Sequence, residues 1–568
     1  MSAHPRIDLV CFFVLAAPVV AQSPLAQING TSAQESLGSS VVGLGDVDGD
    51  SLPDFAVGSP FRANVGAPPG RVQLCKGMTA ASIRTLNGSI AGDDFGFALA
   101  AGGDVDGDGV NDLLVGAPDF PPSGGGHDFT SAGYVERFSS ATGALLLHVN
   151  GDSPDDMFGA SVAAVDDVNG DGTEDFVVGS PGHDSALLDS GMLRLVSGLN
   201  GATLWSSFGT QTGCNFGGSV SNVGDVDGDG HDDLVCGSSS FDGAAGADAG
   251  ATYLVSGATG AIFRSWFGLQ AHGMFGAAVA GVGDIDGDGV NDVAIGAPEA
   301  PYPTSKGTLY VYSGSSAALI YQITPTLAAN FGCAIATIGD LDGDQKAELA
   351  VGAKVFNING AGPYPGAVWV LAGANGALLG RAYGGMSTNL LGTSVAGLGD
   401  VDGDGRQELV AGAVDGMGFA RVLSVGSPMP PSTYCAAKLN SRGCLPQISA
   451  SGTPTLTGLD DFVVNGNNVI NQKPGLFIWG ATPRAIDFQG GLLCVGSPVK
   501  RTPGVATGGG TSGPDCSGVL SFHFTHAYMQ ANGLVAGSTL SVQGWHRDTA
   551  LPANSIGLTN GLFVVVSP

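Results

Sequence analysis

The stretch Asp284-Ile285-Asp286-Gly287-Asp288-Gly289-Val290-Asn291-Asp292 sets carboxylates at the first, third, fifth and ninth places of a nine-residue loop, with glycines at the fourth and sixth. Hard divalent cations such as calcium take roughly six to eight oxygens at about 2.3 to 2.6 Å, and alternate side chains of a tight loop converge on one point to supply them. Glycine lets the backbone turn that sharply. The seventh residue, Val290, is placed to offer its carbonyl oxygen.

The unit recurs with first aspartates at Asp46, Asp104, Asp167, Asp225, Asp284, Asp340 and Asp400. The near-constant interval, roughly 60 residues, suits a four-stranded propeller blade with generous loops. A Phe-Gly or Leu-Gly pair always precedes the loop, its glycine eight places before the first aspartate: Gly38, Gly96, Gly159, Gly217, Gly276, Gly332 and Gly392. A second glycine always follows twelve places after that aspartate: Gly58, Gly116, Gly179, Gly237, Gly296, Gly352 and Gly412. Asp and Gly favour ordinary solvated turns, but such turns do not hold two spacings fixed through seven copies.

Side chains at places one, three, five and nine, with the carbonyl at place seven, define up to seven calcium sites. They are Asp46, Asp48, Asp50, Leu52 and Asp54; Asp104, Asp106, Asp108, Val110 and Asp112; Asp167, Asn169, Asp171, Thr173 and Asp175; and Asp225, Asp227, Asp229, His231 and Asp233. The last three are Asp284, Asp286, Asp288, Val290 and Asp292; Asp340, Asp342, Asp344, Lys346 and Glu348; and Asp400, Asp402, Asp404, Arg406 and Glu408. Loop three has the neutral Asn169, loops one and six have Ser51 and Gln345 where the others have glycine, and loops six and seven end in glutamate. His231 sits at a carbonyl place, which leaves its side chain to solvent.

Apolar residues within a repeat alternate with the period of two that marks strands. In the fifth repeat Ala278 to Val282 leads into the loop, Val293 to Ile295 leaves it, and Thr308 to Tyr312 and Leu319 to Ile323 follow. The acidic loop is therefore a hairpin turn. This excludes dockerin-like and EF-hand sites, which need flanking helices. The last repeat supplies three strands before Pro428-Met429-Pro430-Pro431, which cannot extend a ladder. Residues 25 to 30 resemble a fourth strand that lacks a blade, so they are expected to complete the seventh and hide both open edges. The fold class is all-β: a signal peptide over 1–21, a seven-bladed propeller over 22–427, a proline-rich linker over 428–432 and a C-terminal β-sandwich over 433–568. Sandwich strands are expected at Gly475 to Trp479, Val519 to Phe524, Thr539 to Trp545 and Leu562 to Val566.

The chain has 568 residues and a formal charge of -30, and more than half of its 51 acidic residues occupy the loops. Its 21 Lys and Arg are scattered, which excludes nucleic acid as a partner. Arg6, the apolar run Leu9 to Val20 and Val19-Val20-Ala21 read as a secretory leader cut after Ala21. No later stretch is long and apolar enough to span a membrane, so the protein is expected outside the cell, released or at its surface. Export permits disulfides. Among Cys435, Cys444, Cys494 and Cys516 the simplest pairing is 435 with 444 and 494 with 516, one of three possibilities. Cys236 stands where other repeats have Val or Ile, so it reads as a buried thiol.

Phe95-Gly96, then Asp104 to Asp112, then Gly116-Ala117-Pro118 resemble the FG-GAP repeat of integrin α-subunit propellers, a likeness that covers about residues 22 to 427. The resemblance implies a seven-bladed propeller with calcium on its lower face and ligand met on its upper face. The upper face would hold the loops that follow each second glycine. Their lengths differ from repeat to repeat, the shortest running from Gly412 to Gly418 and the longest from Gly116 to Gly133. Recognition usually sits on variable loops held by a rigid scaffold. The candidate ligand residues are Phe61, Phe120, His127, Phe129, His183, Phe241, Asp242, Tyr302 and Tyr364. Integrin leg domains, membrane span and cytoplasmic tail have no counterpart here, so secreted bacterial proteins with the same repeats are the nearer analogy.

The reading is calcium-stabilised adhesion or binding of an extracellular protein or polysaccharide. An extracellular enzyme that cleaves polysaccharide or lipid at a central propeller site is the second class. A purely structural surface or matrix protein is the third. No Gly-x-Ser-x-Gly, His-Glu-x-x-His or phosphate-binding glycine loop is present. His523 and His526, three apart in an apparent strand, are expected on opposite faces.

Overall fold

The computed structural model describes residues 20–568 except 22, 33–34, 62–68, 91, 119–130, 301–303, 328, 342, 357–363, 385–388, 404, 425–431, 435–436, 453, 457–459, 481–482, 489–490, 497–498, 510–514, 535–537, 549–555 and 567–568. Through residue 424 the described chain is a β-propeller of antiparallel sheets, one per acidic loop. The fifth repeat shows the pattern: Ala278–Gly281, Val293–Ala297, Thr308–Tyr312 and Leu319–Ile323 pair in sequence order, with the acidic loop joining the first two. The second strand is buried throughout in every sheet, because neighbouring blades cover both of its faces. Strand Ser23–Asn29 pairs antiparallel with Phe419–Ser424, so residues from both ends of the repeats share one sheet, as the orphan fourth strand predicts. Val20–Ala21 adds a short parallel strand to the sixth sheet.

The fixed glycine spacings follow from how sheets touch. A Cβ on the glycine of the second strand would lie 1.9 to 2.1 Å from the carbonyl oxygen of the next sheet's Phe-Gly or Leu-Gly glycine: Gly58 on Gly96, Gly116 on Gly159, Gly179 on Gly217, Gly237 on Gly276, Gly296 on Gly332 and Gly352 on Gly392. Gly412 meets Gly38 in the same way at 2.0 Å, so the series returns to its start. A further glycine before each third strand packs on the preceding residue of the same pair, from Gly70 on Phe95 to Gly418 on Leu37. Two glycines of one blade thus grip the pair of the next. Gly237→Ala is expected to cost about 3 kcal/mol or more, because backbone rather than a movable side chain fills the space. Thermal unfolding beside Gly213→Ala, where nothing lies within 4 Å and the φ of 68° adds strain of only about 1 kcal/mol, checks this; a loss no larger than at Gly213 would refute the packing argument.

The residue before each pair takes a left-handed conformation, including Met157 and Met274 (φ 55°) and Leu390 (φ 58°). Each costs on the order of 1 kcal/mol, and the tight turn leading into the pair imposes it.

Beyond the propeller, Ser432–Tyr434, Ile556–Val565, Thr539–Arg547, Pro474–Gly480 and Lys500–Arg501 form one sheet, joined on its edge by Val505–Ala506. Gln447–Ser451, Val463–Val469 and Gly518–His523 form a second. Phe477, Trp479, Leu540, Val542, Leu562 and Val564 of the first pack with Ile448, Val464 and Leu520 of the second, which is a sandwich core. The helix His526–Ala531, capped by Thr525, was not expected. It corrects the reading of the two histidines: His523 ends a strand and His526 begins the helix. The cysteine pairing also differs, since Cys444 bonds Cys516 across 72 residues. Cys494 is disulfide-bonded too, and Cys435 lies outside the described residues. Cys236 is a buried free thiol, as are Cys75 and Cys214. No helix among the described residues is long and apolar enough to cross a membrane.

Candidate metal centres

Each acidic loop is held by its own carboxylates. The first accepts the amide of place four, as Gly287 to Asp284 at 2.6 Å, and that of place six, as Gly289 to Asp284 at 2.8 Å. Loops one, two, four, six and seven repeat both bonds. Ser51 and Gln345 reach the glycine conformation of place six with φ 69°. The ninth carboxylate is wholly buried in all seven loops and accepts the amide of place two.

Oxygens of Asp46, Asp48 and Asp50 lie within 4.8 Å of one another, as do those of Asp104, Asp106 and Asp108, and of Asp225, Asp227 and Asp229. Asp284, Asp286 and Asp292 converge likewise, as do Asp340, Asp344 and Glu348. Asn169 turns partly inward, its amide 3.4 Å from Asp175. Asp342 and Asp404 lie outside the described residues. Like charges this close repel, and an all-oxygen set suits a hard cation. Burial raises the carboxyl pKa of Asp54, Asp175 and Asp292, and pushes Asp112 and Asp233 up to about 6. Asp112 Oδ1 is buried with no hydrogen-bond partner. In loops one, three, four and five the matching oxygen accepts a backbone amide from just after the third strand, so the fit to a cation rests on the converging oxygens of the loops.

Asp112 gives a test with a change of sign. Its folded pKa lies above the unfolded value of 3.8, so in chelator its contribution to stability is present below about pH 4 and lost as pH rises through about 6. Asp112→Asn removes that desolvation penalty, which outweighs the attraction of the Arg137 guanidinium that it also loses. The variant is expected to melt above wild type in chelator at pH 7, and below it in calcium. Melting below wild type in both media would refute the reading.

Place eight, which offers no metal ligand, links neighbours. Asn111 donates to the Leu44 carbonyl at 3.3 Å and Asn291 to that of Val223 at 2.9 Å. Glu174 accepts the Gly103 amide, and Gln407 accepts that of Gly339 at 2.8 Å. The amides of Asp166 and Asp232 each donate to the other's carboxylate, and His231 Nδ1 lies 2.8 Å from Asp166 Oδ2. His231 is therefore paired rather than simply solvated. Its pKa is raised, first by that hydrogen bond. Pro53 and Ala347 hold place eight in loops one and six and cannot make the link.

On the opposite rim, buried carboxylates three residues before the paired glycines receive side chains from adjacent strands and loops. Arg71 pairs with Glu35, and the Tyr134 hydroxyl donates to Asp93. His183 Nδ1 is 3.1 Å from Asp156 Oδ2 but out of line for a hydrogen bond, and its ring stacks on Phe208. Of the candidate ligand residues, Phe61 is buried under the Arg71 guanidinium and Phe241 is half-buried against Phe267. His183 is mostly buried, whereas Asp242 and Tyr364 are exposed. Phe120, His127, Phe129 and Tyr302 lie outside the described residues. Sequence reading missed the exposed Leu188, Phe208, Phe267 and Leu269. Phe208 and Phe267 each precede the glycine that ends a fourth strand, a position that could have marked them.

The FG-GAP repeat family matches residues 37–75, 95–135, 158–194, 216–255, 275–312 and 332–371. Integrin alpha-V of Gallus gallus is 31% identical over 216 residues, which cover 35% of this chain and 20% of that protein. Integrin alpha-5 of Xenopus laevis is 33% identical over 218 residues, with 35% and 20% covered. Integrin alpha-IIb of Homo sapiens is 32% identical over 284 residues, with 44% and 26% covered. The chain thus spans about a quarter or less of the length of these relatives. Six family matches on sheets that share one glycine packing make this chain an FG-GAP repeat protein with an integrin α-like propeller.

Proposed function

We propose that this chain is a secreted, calcium-stabilised propeller that binds an extracellular protein or polysaccharide in adhesion. The seven sheets would form one ring, completed by strand 23–29, with calcium-held hairpins at one end of the blades. The observation that carries this reading is the contrast between the two ends of each sheet. At one end the first two strands meet in a loop of constant length whose carboxylates converge. At the other end the second and third strands are joined by connections of unequal length, from the short Gly412 to Gly418 to the long Gly116 to Gly133. Rigid loops set the scaffold and variable ones offer recognition. Exposed Leu188, Phe208, Phe267 and Leu269, with Asp242 and Tyr364, supply apolar and polar contact on the variable side. Integrin α-subunits, whose propellers this one resembles, act in adhesion, which favours the same reading.

The test is binding of the mature protein to a panel of matrix proteins, polysaccharides and bacterial surfaces, in millimolar calcium and in chelator, with product release followed. Saturable binding that chelator abolishes, without turnover, supports the proposal. Turnover of a panel member would replace it with an enzyme. Absence of saturable binding across the panel would leave a structural role.

A further inference from the structure

The first loop differs from its neighbours where its metal would sit. In two other repeats the serine just after the third strand donates to the carboxylate of place five, Ser139 to Asp108 at 3.3 Å and Ser197 to Asp171 at 3.1 Å, and in the fifth repeat Ser315, two places further on, does the same to Asp288. A hydroxyl leaves the charge of the carboxylates unopposed. In the first repeat the residue after strand Arg71–Cys75 is Lys76, whose Nζ lies 2.5 Å from Asp48 Oδ2 and 3.0 Å from Asp50 Oδ2. Its backbone is fixed by a tight turn, with Lys76 N donating to Ala81 O at 2.9 Å and Ala80 N to Lys76 O at 2.8 Å. The ammonium therefore approaches from a fixed base. It meets two of the three carboxylates that converge in this loop. The other lysine of the loops, Lys346, donates instead to the Ile285 carbonyl of the neighbouring loop.

We propose that Lys76 is a tethered cation that takes the place of calcium in the first loop, so that this blade is held without metal. The inference rests on the calcium reading of the other loops. A calcium ion entering here must displace the ammonium and then bind beside it, losing an ion pair and meeting a like charge. The loop also lacks the glycine of place six and the place-eight link, having Ser51 and Pro53. Loop six shares both of these departures, with Gln345 and Ala347, so the lysine on its carboxylates is what sets the first loop apart.

The experiment is calcium titration of the mature protein by calorimetry, for wild type, Lys76→Ser and Lys76→Met, with melting in chelator alongside. Wild type is expected to take one calcium fewer than Lys76→Ser, whose added site binds about tenfold more tightly than the lysine-filled loop. Lys76→Met is expected to melt below wild type in chelator, where the carboxylates lose their counter-charge, and to recover in calcium. Equal stoichiometry in wild type and Lys76→Ser, with unchanged melting of Lys76→Met in chelator, would overturn the proposal while leaving the other loops as calcium sites. A wild type that binds no calcium would remove the calcium reading itself. A single calcium gained by Lys76→Ser in that case would still support the lysine's role, and none gained would end both.

Discussion

Deleting residues 22–30 is expected to leave the protein aggregated, or melting about 6 °C lower, on the order of 5 kcal/mol. Strand Ser23–Asn29 pairs along Phe419–Ser424, Gly30 N donates to Gly418 O at 2.9 Å, and Gln27 Oε1 accepts from Arg421 at 2.7 and 3.0 Å. Ala26 and Ile28 pack on a core that holds Leu37, Val57, Val410 and Val422 together, so residues of the first and seventh sheets share it. Without the strand, Phe419–Ser424 presents an unpaired ladder to solvent, the kind of edge that recruits other chains. Size-exclusion chromatography and calorimetry of the truncated protein check the outcome. A synthetic peptide of residues 22–32 added in trans should restore part of the loss. A soluble monomer with wild-type melting would show that the strand is dispensable.

Calcium withdrawal is the second large effect. If each loop binds with a dissociation constant of about 0.1 to 1 mM, as extracellular modules do, millimolar calcium stabilises by roughly 0.4 to 1.4 kcal/mol per loop. Summed over the six loops other than the lysine-filled first this is about 2.5 to 8.5 kcal/mol, comparable with the whole net stability of a domain. Chelator is expected to lower the melting temperature by about 3 to 10 °C, and magnesium to restore little of it, because that smaller ion demands tight octahedral geometry. Place-eight contacts run from one blade to the next, so loss of metal at loop four should loosen loops three and five. The links end at Pro53 and Ala347. Hydrogen exchange with and without chelator would locate the protected segments, and identical protection in both media would refute a stabilising role for calcium.

The propeller was legible because its determinants are local and repeated. The fifth repeat's third and fourth strands fall where the alternation puts them, and the acidic loop is the hairpin turn its glycines require. The need for the two fixed glycines is long-range, since each faces backbone of the next blade, yet repetition exposed it as a spacing. What could not be read are unique partners. Nothing local tells that Glu35 meets Arg71, that Asp166 meets His231, or that Phe61 lies under a guanidinium. The C-terminal residues repeat nothing, so the choice among three cysteine pairings had no second copy to decide it. The helix after His523 is a single turn and a half, too short for apolar spacing to reveal.

Ser23 lies opposite Ser424, so the chain enters and leaves the propeller side by side on neighbouring antiparallel strands. Tension applied between these two points loads their hydrogen bonds one after another, as in unzipping, rather than all together in shear. A molecule tethered through its leading end and its C-terminal sandwich would therefore yield first at the seventh sheet, at low force. A pull carried from the sandwich to a ligand on the blades would bypass the leading strand and spare that join.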